Sequence, residues 1–355
     1  MTTADERFEK QFGRVAAGSA SAPGRVNLIG EHLDYNGGMV LPAALRNKVS
    51  IALAPNGTNE HTICSDRFGD PVRRTVSEAA TQAWSDYVVG TLKYAAELGW
   101  GEAGFDILIT SDLPDGAGVS SSAALVTAIL RAAMDRMDAE FDPVEIAKTA
   151  QRVENEYIGV PCGIMDQMAV GLSTYGEALA LDTLKLENEV IPIPDDWAFV
   201  TLHTGIRRSL TDGRYKARAQ ECAAAAAALG TTWLCELTDQ QSRRASELAP
   251  ELAGRVRHVL SENRRTKWAI GALKAADIET FGRLMSESHR SYSDDFEAST
   301  PEIDEIVVSA TELGAIGSRL TGGGFGGCFV SLLPSDRVHD WKAELLARNP
   351  DVSEF

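Results

Sequence analysis

Four hydrogen-bonding side chains crowd into a short polar segment near the N-terminus. Arg25, Glu31, His32 and Asp34 stand within ten positions and are flanked by glycines. Carboxylates accept hydrogen bonds from hydroxyl groups, and Arg and His side chains donate them, so the segment predicts a pocket for a polyhydroxylated ligand. Two other interpretations stay open: a solvated turn with a local ion pair, and a metal site through His32 and Asp34, for which no further ligands stand at a recognisable spacing.

A second segment, residues 113–125, places glycines and three serines directly before an apolar-periodic helix. Unpartnered backbone N–H groups and the positive end of the helix dipole would meet there, and this arrangement receives phosphate. An ordinary serine cap is the alternative, but a cap needs one serine and leaves the glycines unexplained. The dipole supplies only ~0.3–2 kcal/mol, whereas enzymes lower barriers by about 8 kcal/mol or more. Other groups must therefore catalyse any phosphate transfer.

Glu154 and Asp166 are the acids best placed to act with such a loop. Glu154 borders the apolar stripe of one predicted helix, and Asp166 falls in the first turn of the next, after Gly163. A helix N-terminus keeps a carboxylate ionised, while the neighbouring core limits its solvation. Surface acids are common in a chain of net charge −17, so spacing alone favours a solvated role for any one of them. The glycines and prolines that frame these two acids single them out.

A third glycine-rich segment lies near the C-terminus, at residues 320–329. Gly322, Gly324 and Gly327 match the letters of G-x-G-x-x-G. The dinucleotide fingerprint follows a strand and opens a helix, whereas this segment leads into the strand-like residues 328–333, so we discount that reading. We expect a turn that allows close backbone approach, either to a ligand between two domains or only to the other domain.

Periodicity predicts a mixed α/β chain whose elements position these segments. The predicted strands are 49–53, 105–109, 178–181, 198–202 and 328–333. The predicted helices are 84–98, 122–137, 143–158, 164–173, 212–229, 255–275, 278–291 and 301–313. A chain of 355 residues is too long for one ordinary domain, and turn residues at 192–196 place the expected boundary between domains 1–195 and 196–355.

Composition and charge exclude several classes of protein. The chain is 44% hydrophobic and 24% charged, which is typical of a globular protein and not of collagen or a disordered chain. Its net charge of −17 repels phosphate backbones, so we expect no nucleic-acid partner. The five cysteines form no C-x-x-C pair, and no segment approaches the ~20 apolar residues of a membrane span. We therefore expect reduced thiols, no membrane association and a cytoplasmic location.

Taken together, the motifs resemble one family. Residues 24–35, Gly-Arg-Val-Asn-Leu-Ile-Gly-Glu-His-Leu-Asp-Tyr, closely resemble the galactokinase signature. Residues 114–123 resemble the ATP loop of the GHMP small-molecule kinases, and residues 320–328 resemble their third motif, in the family's order. Further matches at 161–167, 258–266 and 299–304 extend the resemblance over most of the chain. The resemblance implies an α+β, two-domain GHMP kinase architecture. Its N-terminal domain would be ribosomal-S5-like, its C-terminal domain ferredoxin-like α/β, and its active site would lie in the interdomain cleft.

The resemblance also implies transfer of the γ-phosphate of ATP to the anomeric hydroxyl of α-D-galactose, with Mg²⁺ as cofactor. Asp166 matches the proposed catalytic base, and Arg25 matches the cation that keeps it ionised and stabilises the transferring charge. The residues that match sugar contacts are Glu31, His32, Asp34, Gly163 and Tyr215. The residues that match the ATP site are Trp84, Gly116, Ala117, Gly118, Val119, Ser120, Ser121 and Ser122, and the magnesium ligands match Ser122 and Glu154. We expect galactose and ATP as partners of a monomer or weak oligomer.

The chain also departs from the family's pattern. Val119 replaces the usual Leu of the serine loop, and the more usual Leu-Arg-Asp pattern is altered in Ser291-Tyr-Ser-Asp-Asp295. Specificity can drift through such changes, so a kinase of the same fold for a related sugar, such as arabinose or an N-acetylhexosamine, stays open. A non-catalytic sensor of sugar and ATP is a further alternative, against which the intact residues 120–123 and Asp166 argue.

Overall fold

The structure is a computed structural model that describes residues 3–114, 117–160, 162–206 and 213–354. The strands in these ranges are β1 Gly18–Asn27, β2 Met39–Val40, β3 Pro42–Pro55, β4 His61–Ser65, β5 Val72–Arg74, β6 Phe105–Ser111, β7 Glu177–Asp182, β8 Asn188–Pro192, β9 Trp197–His203, β10 Gly317–Leu320 and β11 Cys328–Pro334. The helices are α1 Ala4–Phe12, α2 Asp86–Glu97, α3 Ser121–Asp135, α4 Pro143–Arg152, α5 Met165–Leu172, α6 Arg214–Leu229, α7 Asp239–Arg243, α8 Pro250–Lys274, α9 Ile278–Asp294, α10 Pro301–Glu312 and α11 Val338–Arg348. Every strand and helix predicted from the sequence has a counterpart among them.

The chain divides into two compact units, each assembled from separate stretches. Unit 1 comprises Met1–Arg25, Ala44–Leu113 and Ser120–Tyr175. Unit 2 comprises Val26–Ala43, Pro114–Val119 and Gly176–Phe355. The division into domains 1–195 and 196–355 stays a prediction.

Unit 1 combines a sheet with a group of mutually packed helices. β6 pairs antiparallel with β3 and parallel with β4, and β4 pairs antiparallel with β5. Leu53 and Ile107, which face each other across β3 and β6, are fully buried. α3 packs against α2, α4 and α5. Because α3 begins just after Ser120 and α5 carries Asp166 in its first turn, this packing brings the serine segment to the predicted catalytic acid.

The helix predicted at 143–158 changes its winding halfway along. α4 begins as predicted, with the Asp142 side chain accepting from the Val144 N–H and Pro143 in the first turn. From Val153 to Ile158 the chain forms a π-helix, which ends at Gly159 with φ of 79°. Single-turn π-helices are rare and occur frequently at functional sites. This one carries Glu154, whose side chain it buries.

Unit 2 contains a three-stranded antiparallel sheet in the order β10, β11, β9, and β7 pairs antiparallel with β2 and β8. α8 packs against α6 and α9, and α9 packs against β10. Residues 321–327, here called the glycine turn, join β10 to β11, in which Leu320 pairs with Phe329. This connection between two antiparallel strands confirms that G-x-G-x-x-G is not a dinucleotide fingerprint here. Across the described ranges, no helix has the length and apolarity needed to cross a membrane.

Candidate active site

Asp166 lies at the centre of a hydrogen-bonded cluster in unit 1. Arg25 donates to its Oδ1 from Nε at 2.8 Å and from a terminal nitrogen at 2.6 Å. The Ser120 hydroxyl donates to Oδ2 at 2.6 Å. The Arg25 side chain is 7% exposed and that of Asp166 is 31% exposed, so a ligand can reach the carboxylate while its cation is buried. Charge-assisted bonds of this kind are short and strong, and they fix the orientation of the carboxylate.

Ser120 is held in an unusual conformation directly before α3. Its φ of 61° and ψ of 41° are left-handed, and its side chain makes no capping bond to the helix. Left-handed backbone at a residue other than glycine costs ~1–3 kcal/mol and persists where its surroundings hold it. The hydroxyl is used by Asp166 and not by the helix, so the serine-cap interpretation does not describe Ser120. The first N–H groups of α3 have no partner within the helix and stay suited to an anion.

Glu154 is a buried acid whose surroundings fit an oxygen-binding cation. Burial, and then the charge of Asp166, raises the pKa of Glu154 to about 6, although contacts with Ser122 and Cys162 oppose the rise. Gln167 Nε2 lies 3.3 Å from Oε2, whereas Oε1 has no hydrogen-bond partner among the residues described. A buried oxygen without a partner is costly unless a cation or donor joins it. Mg²⁺ prefers carboxylate and hydroxyl oxygens and usually takes only one or two from protein, so Ser122 and Glu154 fit it.

In unit 2, Glu31 is enclosed by donors. Its side chain is almost fully buried, and its Oε1 accepts from the Gly322 N–H at 2.5 Å and from the Thr321 hydroxyl at 3.1 Å. An Arg319 terminal nitrogen lies 3.3 Å from the same oxygen, and the Asn27 amide donates to Oε2. These bonds tie residues 28–38, here called the polar loop, to the glycine turn. Burial of this kind excludes the solvated-turn interpretation.

His32 is the second buried polar residue of the polar loop. Its Nδ1 lies 2.6 Å from the Tyr35 hydroxyl and its Nε2 lies 2.9 Å from the Tyr292 hydroxyl. The ring of Tyr215, from α6, lies 5.3 Å from the His32 ring between centroids. Asp34 is half-buried and lies close enough to Tyr35 to raise the pKa of that phenol, after burial and two other neighbours. The structure therefore brings the predicted residues Glu31, His32, Asp34 and Tyr215 together in unit 2.

The loop before α3 contains the other residues that were expected to contact phosphate. Ala117 and Val119 are buried, and Gly118 is exposed with φ of 72°. Val119 is an apolar side chain that is almost fully buried, so its replacement of the usual Leu keeps an apolar residue at that position. Gly116 lies outside the described residues. Gly163, expected to contact sugar, lies in unit 1 just before α5 and so close in sequence to Asp166.

Trp84 forms an aromatic surface in unit 1 with a partner that the sequence did not indicate. Its ring stacks on that of Phe68, with centroids 4.7 Å apart and an interplanar angle of 16°. Phe68 is 43% exposed, which is unusual for so large an apolar side chain. A flat, accessible aromatic pair of this kind suits stacking of a planar base.

The sequence did not predict the residues whose side chains contact Glu31 and His32. Tyr35 and Tyr292 hold His32, while Thr321 and Arg319 hold Glu31. Tyr35 lies inside the quoted signature and Thr321 lies inside the third motif, so position in a motif was a usable signal for these two. Arg319 stands just before that motif, and its position gave no such signal. Tyr292 is 260 positions from His32, and only its departure from the family pattern marked it.

Family models and a relative match the chain. Residues 6–55 match the family model for the galactokinase galactose-binding signature. Residues 86–174 match the GHMP kinases N terminal domain, and residues 269–349 match the GHMP kinases C terminal domain. The galactokinase of Roseiflexus sp. (strain RS-1) is 40% identical over 359 residues, which cover 98% of this chain and 91% of that protein.

Solved structures match the chain as well. The crystal structure of Lactococcus lactis galactokinase complexed with galactose matches with a TM-score of 0.90 and 31% identity, over 98% of this chain and 95% of that one. The L. major mevalonate kinase in complex with R-mevalonate matches with a TM-score of 0.68 at 20% identity, over 95% of this chain and 94% of that one, which concerns the fold alone. The expected α+β GHMP kinase fold class is thereby confirmed, and the chain belongs to the galactokinase family.

Proposed function

We propose that this protein transfers the γ-phosphate of ATP to the anomeric hydroxyl of α-D-galactose, giving α-D-galactose 1-phosphate and ADP. The observation that carries the proposal is the Asp166 carboxylate, which Arg25 and Ser120 orient beside the N-terminus of α3. Relatives named galactokinase over nearly the whole chain support the choice of sugar. The pieces are those that phosphoryl transfer requires, which are positioning and neutralisation of charge.

Asp166 is the group that receives the substrate hydroxyl in this proposal. Ser120 occupies one acceptor direction of Oδ2, and a carboxylate oxygen can accept a second hydrogen bond. The sugar hydroxyl would donate there, its oxygen would form the new bond to the γ-phosphorus, and the bond from that phosphorus to ADP would break. The hydroxyl proton passes to Asp166 as the new bond forms.

Arg25 acts on both Asp166 and the transferring phosphoryl group in this proposal. Two of its N–H groups orient Asp166, and its buried guanidinium is a fixed positive charge beside the carboxylate. A preorganised charge in a buried site stabilises the negative charge of a transferring phosphoryl group more strongly than it would in water. In a chain of net charge −17, such local donors are what allow an anionic nucleotide to bind.

ATP and Mg²⁺ complete the proposed site. We assign the triphosphate to residues 116–122 and the adenine to the face of Trp84, while Ser122 and Glu154 would hold Mg²⁺. When bound, Mg²⁺ neutralises phosphate charge. With a pKa of about 6, Glu154 is mostly ionised at neutral pH and can act as a ligand. Its partnerless Oε1 is the observation that supports this assignment.

Galactose would be held by Glu31, His32, Asp34, Gly163 and Tyr215. Asp34 and Tyr215 are half-buried and so present accessible surface, with a carboxylate for hydroxyls and an aromatic face for C–H groups. Glu31 and His32 are buried and already hydrogen-bonded, so galactose would share or displace their present partners.

The five cysteines are free thiols, which suits a cytoplasmic location. We propose a monomer or weak oligomer.

A coupled assay of ADP release across a panel of sugars tests the proposal. We expect the highest kcat/KM for galactose, with arabinose and N-acetylhexosamines at least tenfold lower, since one misplaced or missing polar group costs about 1.4 kcal/mol or more. Preference for another sugar would replace galactose in the proposal. A well-folded protein that binds galactose without turnover would support the sensor instead.

A further inference from the structure

Tyr292 connects two parts of unit 2 that the proposed function treats separately. It lies in α9 and its side chain is fully buried. Its hydroxyl donates to the carbonyl oxygen of Gly322, in the glycine turn, at 2.9 Å. The same hydroxyl oxygen lies 2.9 Å from Nε2 of His32, in the polar loop. One phenol group thus bridges the polar loop and the glycine turn.

The bridge determines which nitrogen of His32 carries the proton. A hydroxyl has one proton, and that of Tyr292 points at a carbonyl oxygen, which can only accept. The Tyr292 oxygen must then accept from Nε2–H of His32. In a neutral ring with its proton on Nε2, Nδ1 is an acceptor, and the Tyr35 hydroxyl, 2.6 Å away, is placed to donate to it. The direction of donation therefore runs from Tyr35 through His32 and Tyr292 to Gly322.

The backbone of His32 is strained, so its conformation depends on the hydrogen bonds around it. Its φ is 60°, in the left-handed region that residues other than glycine rarely adopt. Strain of this kind persists only where surrounding bonds over-determine it. Both ring nitrogens are engaged, and the Asn36 amide donates to the His32 carbonyl oxygen at 2.7 Å. Asn36 and Tyr35 belong to the polar loop itself, so among these partners Tyr292 anchors His32 to another element.

Tyr292 also lies in the segment that departs from the family pattern. An apolar side chain at this position could neither accept from His32 nor donate to Gly322. We propose that Tyr292 is a positioning residue for sugar binding, whose hydroxyl clamps His32 to the glycine turn and thereby holds the polar loop in its binding conformation. The inference rests on the proposed function, since it assigns the polar loop to the sugar.

Tyr292→Phe tests the inference because it removes the hydroxyl and keeps the ring. We expect the KM for galactose to rise about tenfold, with kcat within about twofold of wild type and the KM for ATP unchanged, since one buried hydrogen-bonded group is lost. Tyr94→Phe is the matched control. It removes a hydroxyl that donates to Glu156 at 2.7 Å in unit 1, and it should leave the KM for galactose unchanged.

Nitrogen NMR of histidine-labelled protein supplies a readout that a merely structural role would not move. His32, assigned by comparison with His32→Gln, should be a neutral Nε2–H tautomer in wild type and should become a mixture of tautomers in Tyr292→Phe. An Nδ1–H tautomer in wild type, or an unchanged His32 spectrum and galactose KM in the variant, would overturn the inference. The spectrum needs no turnover, so a protein inactive on galactose would count against the proposed function while the clamp is still decided by NMR.

Discussion

Arg319 carries the prediction that tests the buried architecture of unit 2 most sharply. Its guanidinium is fully buried, with terminal nitrogens 3.3 Å from Glu31 Oε1 and 4.0 Å from Glu262 Oε1. Arg265 Nε donates to the other Glu262 oxygen at 2.9 Å. The two carboxylates and two guanidinium groups cancel in charge. Burial by itself would raise the pKa of Glu262, but the charges of Arg265 and Arg319 outweigh it and lower the value to about 2.

Arg319→Met should therefore be strongly destabilising. Removal of one partner from a buried ion pair costs about 3–5 kcal/mol, because the remaining charge stays buried without compensation. For domains of about 150–250 residues each kcal/mol lowers Tm by roughly 2–4 °C, so we expect a fall of roughly 6–20 °C by scanning calorimetry. Glu31 loses a neighbouring cation as well, so galactose should bind more weakly in calorimetric titration.

Two comparisons make the result specific to burial. Arg257→Met removes an arginine that is 61% exposed and paired with Asp295, and such surface pairs contribute only about 0–1 kcal/mol. Arg319→Met combined with Glu262→Gln removes one charge of each sign, so its loss should be smaller than the sum of the single losses by about 1–3 kcal/mol. An Arg319→Met protein that melts within about 2 °C of wild type, or strictly additive losses, would refute the reasoning.

Four other predictions concern the proposed site and its surroundings. Asp166→Asn should lower kcat by about 10²–10⁴-fold while calorimetry shows nearly unchanged galactose affinity; near-normal turnover would remove Asp166 from its role. Glu154→Gln should raise the Mg²⁺ concentration needed for half-maximal activity more than the galactose KM, and the reverse pattern would count against the ligand assignment. Trp84→Ala should raise the KM for ATP about tenfold, as loss of a base stack does, whereas Trp268→Ala, at a tryptophan 55% exposed in α8, should not. Because the pKa of Glu262 is lowered from 4.5 to about 2, its stabilisation is present above pH about 4.5 and is lost as pH falls through about 2. The Tm difference between wild type and Glu262→Gln should shrink over that window, and a constant difference would contradict the assignment.

The sequence predicted the helices and strands with a periodic apolar pattern well, because that pattern is local in the chain. α9 and α10 coincide with their predicted ranges to within three residues. Apolar residues recur at helical spacing in both, and Asp277 precedes α9 while Pro301 begins α10. β1 was missed because its residues, Gly-Ser-Ala-Ser-Ala-Pro-Gly-Arg-Val-Asn, include one β-branched side chain, Val26, and no aromatic one, whereas such side chains mark strands. The π-helix at Val153–Ile158 was also missed, since Val153 and Tyr157 continue an ordinary helical spacing.

In the candidate site, too, motifs identified residues but did not predict their contacts. Asp166, Arg25 and Ser120 could be named from their motifs, and the structure shows them in contact. The contact itself spans 141 positions for Arg25, and no local pattern predicts pairing over that distance. The same holds for Tyr292 and Arg319, which support the polar loop through the tertiary fold. Residue types were readable from motifs, whereas their partners depend on packing.

Phosphorus NMR of the product formed from galactose, ATP and Mg²⁺ tests the central claim most directly. The proposal predicts one new phosphomonoester that couples to the anomeric proton of the α sugar, formed in step with ADP and nearly absent with Asp166→Asn. A phosphate on another hydroxyl of galactose, or no sugar phosphate from folded protein that binds both substrates, would contradict it.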